Sequence, residues 1–73
     1  MSLKPAWLAD LELAERHVAE AEARVKRQEQ LVAEMTRDKH LEAAARARAV
    51  LATFCETLTL MRSHLATLRR YSR

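Results

Sequence analysis

Apolar residues recur at alternating steps of four and three along nearly the whole chain. In the first half the series is Trp7, Leu11, Ala14, Val18, Ala21, Val25, Gln28, Val32 and Met35, with Gln28 its only polar member. The second half has its own series: Ala44, Ala47, Leu51, Phe54, Leu58, Met61, Leu65 and Leu68. This spacing is the a/d seam of a coiled coil, which places one apolar stripe along each helix. The two series are out of phase, because Met35 and Ala44 are nine residues apart rather than a heptad step. The break falls on Thr36-Arg37-Asp38-Lys39-His40, the longest run without an apolar residue. Such a chain can fold back on itself or continue as one helix through a stutter. The continuous helix needs Lys39 in the seam, so the hairpin is the stronger reading.

Composition removes the competing fold classes. There is no glycine, one proline (Pro5) and three aromatic residues, Trp7, Phe54 and Tyr71. A small sheet protein needs turn residues about every eight to twelve positions, and they are absent. Pro5 suits the first helical position, where a missing N–H costs nothing, and Asp38 suits the N-cap of a second helix. The expected fold is all-α: an antiparallel two-helix hairpin, coiled-coil-like, forming one domain over 1–73. Helix one covers about 5–36, the turn about 37–41 and helix two about 42–70.

Folding about Lys39 and His40 sets a register. Its layers include Leu11–Leu68, Ala14–Leu65, Val18–Met61, Ala21–Leu58, Val25–Phe54 and Gln28–Leu51. Several layers set a small residue against a large one, as close packing requires. The flanks supply a partly independent check. Glu15, Glu22 and Glu29 flank the first seam, and Arg48, Cys55, Arg62 and Arg69 the second. The register runs the acidic column along the basic one. Each exposed pair contributes only about 0.2–1 kcal/mol, but a row of them orients the helices. Trp7 is expected to cover the end of the core near Leu68 and Tyr71. Phe54 is expected to be its largest central residue.

A 73-residue chain is short for a self-sufficient core, and domains of this size usually add a disulfide, a metal or a partner chain. Cys55 is the only cysteine and cannot pair within the chain. It reads as a partly buried structural thiol. The second helix is also poor in charge, with only Glu56 and Arg62 between Ala49 and Leu68. A helix of this kind is usually covered on more than one side. The expected interface is the face with Ala45, Ala49, Val50, Ala52, Thr53, Thr59, Leu60, Ser63 and Thr67. The expected partner is a second copy, making a homodimeric four-helix bundle.

Signals for chemistry are sparse. His17 and His64 come level on facing edges of the hairpin and could meet at a metal with Asp10 or Glu20. No HxxxH or ExxH spacing supports that, so two surface histidines are the better reading. Cys55 has no histidine at helical spacing to activate it. The tail Arg69-Arg70-Tyr71-Ser72-Arg73 is the one hint of nucleic-acid contact, through Arg69, Arg70, Tyr71 and Arg73. The same cations are ordinary at a helix C-terminus, where they complement the dipole. Net charge is +3, divided as −2 over residues 1–36 and +5 over 37–73. The two halves therefore attract each other. The longest weakly charged run, Ala49–Met61, is thirteen residues, against about 20 for a membrane span. No targeting segment is visible, so a cytoplasmic location is the default. No cofactor is expected. The expected function is a non-enzymatic, self-associating interaction module, a scaffold or regulator, with a small accessory nucleic-acid-binding protein as the alternative.

The stretches Ala14-Glu15-Arg16-His17-Val18-Ala19-Glu20, Arg27-Gln28-Glu29 and Leu51-Ala52-Thr53-Phe54 with Glu56-Thr57-Leu58 resemble a group of short, uncharacterised helical-hairpin proteins of soil α-proteobacteria. The resemblance implies a hairpin and no particular activity. Those proteins usually turn on Gly-His-Asp/Thr, whereas this chain has Arg37-Asp38-Lys39-His40-Leu41 and no glycine.

Overall fold

The computed structural model describes residues 3–71. They form two helices, α1 (Ala6–Arg37) and α2 (Leu41–Tyr71), which pack side by side in antiparallel fashion. Neither contains glycine or proline, so nothing in their interiors interrupts the hydrogen-bond ladder. Pro5 precedes α1 instead of occupying its first position. Its backbone is extended (φ −58°, ψ 147°), and its carbonyl accepts the first bonds, from the N–H groups of Leu8 at 3.0 Å and Ala9 at 3.2 Å.

The turn differs from expectation in an informative way. Asp38 does not cap α2; it is the C-cap of α1. Lys39 follows with φ 62°, the only described residue in the left-handed region. This reversal lets the His40 N–H reach back to the Met35 carbonyl (2.9 Å) and the Lys39 N–H to Thr36 (3.2 Å). Those two bonds make a Schellman motif, which satisfies carbonyls the helix end would otherwise leave open. The motif normally uses glycine, because a Cβ is strained at that dihedral. Here lysine accepts the strain. The α2 ladder then begins at the His40 carbonyl, which accepts from the Ala44 N–H at 2.8 Å. Glu42 in the first turn of α2 and Arg37 in the last turn of α1 both complement the helix dipoles.

The core lies along the predicted seams. Ala14, Val18 and Ala21 of α1 and Leu58 and Leu65 of α2 are buried together, with Leu11, Val25, Met61 and Leu68 partly buried around them. Near the turn Ala44 and Ala47 are buried, Ala44 completely. Gln28 sits in the seam beside them, and its side-chain amide donates to the Ala47 carbonyl at 3.0 Å. The seam therefore holds a polar residue with its donor satisfied, as burial requires. On the charged edge, Arg62 pairs with Glu22 at 3.0 Å and Arg69 with Glu15 at 3.4 Å. Arg48 donates to the Thr36 hydroxyl at 3.2 Å, continuing the row toward the turn.

The body measures 54 × 25 × 12 Å, with a radius of gyration of 16.7 Å. A compact chain of this length would have a radius near 11 Å. The molecule is thus a single layer, and each seam residue is sheltered by one neighbouring helix only. That explains two departures. Trp7 does not close the end of the core but stays 50% exposed. Phe54 is only partly buried, because its ring is too large for a two-helix layer to cover.

Candidate interaction surface

The two long edges of the hairpin differ. One carries both ion pairs that link the helices. The other is defined by His17 and His64, which line the same two shallow recesses. The first recess, of about 320 Å³, is bounded by Ala14, His17, Thr57, Leu60, Met61 and His64. The second, of about 240 Å³, is bounded by Asp10, Leu13, Ala14, His17, His64 and Leu68. The recesses are mostly apolar because they open directly onto the core layer, where Ala14 is too small to fill the gap between larger neighbours.

Large apolar side chains gather on this same side. Leu13 and Leu60 border the recesses, and Leu31 and Val50 lie at one level nearer the turn. Their exposures are 45%, 71%, 37% and 42% respectively. Heptad position explains the grouping, since all four occupy c or g positions on the edge opposite the ion pairs. A lone exposed leucine is ordinary, whereas several on one side are a feature of docking surfaces; on α1 the exposed Glu20, Arg24 and Arg27 separate Leu13 from Leu31.

The nine residues expected to form an interface on α2 are all exposed. Val50 and Leu60 belong to this apolar side, while Ala45, Ala49, Ala52, Thr53, Thr59, Ser63 and Thr67 extend it around α2. The threonines are less polar than their type suggests. The hydroxyls of Thr53, Thr59 and Thr67 donate to the carbonyls of Ala49, Cys55 and Ser63, one turn back, at 3.4, 3.0 and 3.1 Å. With each hydroxyl proton directed into its own helix, the hydroxyls ask little of a partner and the methyl groups help to make the surface apolar. Sequence reasoning identified the lack of charge on α2. It also placed Leu31 of α1 on this side, but it did not identify Leu13, which sits within a strongly charged stretch.

The other candidates are placed as follows. Asp10 borders one recess with both histidines, but it is seven residues from His17, about 10 Å along the axis, too far to join that side chain at one ion. Among the described residues no group of three or more His, Cys, Asp or Glu side chains is gathered as a metal site. Cys55 is exposed, not partly buried as expected, because its position flanks the seam on the ion-pair edge. At the C-terminal end, Arg69 is held by Glu15, Arg70 is exposed and Tyr71 is 79% exposed. Arg73 lies outside the described residues. Among the described residues no helix is long and apolar enough to cross a membrane. No family model, curated protein or solved structure matches the chain.

Proposed function

We propose that this chain is a non-enzymatic, self-associating module, a helical hairpin that pairs with a second copy in a four-helix bundle and acts as a scaffold or regulator. One observation carries the reading. The single layer leaves Leu13, Leu31, Val50 and Leu60 exposed on one side, while its own buried core is four alanines, one valine and two leucines. Domains of this size seldom reach adequate stability on so small a core. A second layer supplies the missing cover and doubles the number of seams.

Sedimentation at micromolar concentration tests this. The wild type is expected to run at twice its 8.4 kDa chain mass. Replacing Val50 and Leu60 together with glutamate brings unpaired like charges toward the interface, where burying them is costly. The double variant is expected to give monomer or unfolded chain. A wild type that stays monomeric and well folded at high concentration overturns the proposal.

A further inference from the structure

We infer that His17 and His64 make the self-association of this hairpin acid-sensitive: neutral, the two imidazoles form part of the covered face, and protonated, they drive the copies apart. This regulation rests on the self-association proposed above. It requires no particular packing of the second copy, only that it cover Leu13 and Leu60.

The placement of the two histidines carries the inference. One comes from each helix, and both line both recesses, so the imidazoles stand at the walls of the same apolar hollows. Each also follows an exposed leucine by four residues, Leu13 before His17 and Leu60 before His64. Residues four apart on a helix are neighbours on one face. A layer that covers the leucines therefore covers the imidazoles with them. In the single hairpin both histidines are exposed, and water solvates either protonation state. Association removes that water, and an imidazolium loses far more by it than a neutral imidazole does. Two imidazolium groups at one hollow also repel each other.

The charged groups around the pair do not offset this. On α1, Asp10 lies seven residues before His17, Glu20 three after it and Arg24 seven after it. Glu20 is the carboxylate one turn away, but both it and His17 are exposed, and exposed pairs contribute little. Asp10 borders the second recess, yet it stands about 10 Å from His17 along the axis. Arg24 stands equally far on the other side with the opposite charge. On α2 the positions three and four residues either side of His64 hold Leu60, Met61, Thr67 and Leu68, none of them charged. Tyr71 lies seven residues beyond His64. Arg62 belongs to the other edge, where Glu22 holds it.

The separated hairpins bind protons more readily than the covered pair, so dissociation takes up protons. Association is therefore fully developed above the range near pH 6.5 in which imidazole titrates, and it weakens as the pH falls through that range. Between about pH 7.5 and about pH 5.5, each imidazole kept neutral by association weakens it about tenfold.

Sedimentation of the wild type near pH 7.5 and near pH 5.5 tests this, beside a His17→Gln, His64→Gln variant whose glutamines are polar but do not titrate. The wild-type dissociation constant is expected to rise at least about tenfold in acid, and that of the variant to change less than about twofold. A wild type that associates equally at both pH values, or more tightly in acid, overturns the acid sensitivity and leaves the self-association intact. An equal weakening of the variant assigns the effect to other groups and overturns the role of the histidines. A wild type that is monomeric at both pH values overturns the self-association and the acid sensitivity together. A second measurement needs no variant. Heats of dilution of the wild type near pH 6.5, taken in buffers of different ionisation enthalpy, count the protons exchanged as the copies separate. Net uptake is expected, and no uptake, or release, overturns the proposal.

Discussion

Leu58 and Leu60 are two residues apart on α2 and report on different halves of the account. Leu58 is 7% exposed and packed among Ala14, Val18, Ala21 and Leu65. Truncating a buried leucine to alanine costs about 2–5 kcal/mol, the spread depending on how far the site can collapse. The layer here is 12 Å thick and bordered by solvent on both faces, so neighbouring side chains can relax into the gap. Leu58→Ala should therefore fall near the low end, about 2–3 kcal/mol. For a chain of this size that lowers the melting temperature by roughly 10–20 °C. Leu60 is 71% exposed in the single hairpin. If the hairpin were the whole functional unit, Leu60→Ala would stay within about 0.5 kcal/mol of wild type, as surface substitutions do. If a second copy covers it, the loss should be about 1–3 kcal/mol per chain, the value of burying a leucine side chain. Thermal denaturation followed by circular dichroism, at high and at low protein concentration, separates the cases. The account predicts that Leu58→Ala is destabilising at every concentration, and that Leu60→Ala is destabilising only where the dimer forms. A Leu58→Ala variant as stable as wild type would refute the assigned seam. A neutral Leu60→Ala at high concentration would refute the covered face.

Lys39→Gly should stabilise the fold. It relieves about 1–2 kcal/mol of left-handed strain and gives back roughly 0.4–1 kcal/mol through a looser unfolded chain; a drop in urea midpoint would contradict the φ of 62°. In a double-mutant cycle on Glu22 and Arg62, each about half exposed, the coupling should be about 0.2–1 kcal/mol and shrink in 1 M salt. A coupling of zero at low salt would mean that this pair does not hold the helices in register.

The parts of this molecule that follow from periodicity were readable in the sequence. The steps through Val18, Ala21, Leu58 and Leu65 place those residues in one seam, and the Glu15/Glu22 and Arg62/Arg69 columns align because the same period governs the flanks. What the sequence hid depends on features that periodicity does not carry. The turn was misread at Asp38 because the usual mark of a Schellman motif is a glycine, and lysine occupies that dihedral here. Phe54 and Trp7 were expected in the core because the heptad assigns a direction and not a depth. A single layer of two helices has too little depth to enclose a large ring. The histidine-side recesses arise from Ala14 sitting between larger residues, and Leu13 is masked by its charged neighbours Glu12 and Glu15. Both features become visible only when the two helices are set side by side.

Self-association is the claim on which the functional reading stands, and the concentration dependence of the melting temperature tests it most directly. A chain that folds as it dimerises is stabilised by mass action, so its transition moves upward with protein concentration, whereas a monomeric fold melts at one temperature. Over a hundredfold range of wild-type concentration, the account predicts a steady rise in the midpoint, lost in the Val50→Glu, Leu60→Glu variant. A cooperative wild-type transition that stays at a single temperature across that range would contradict it.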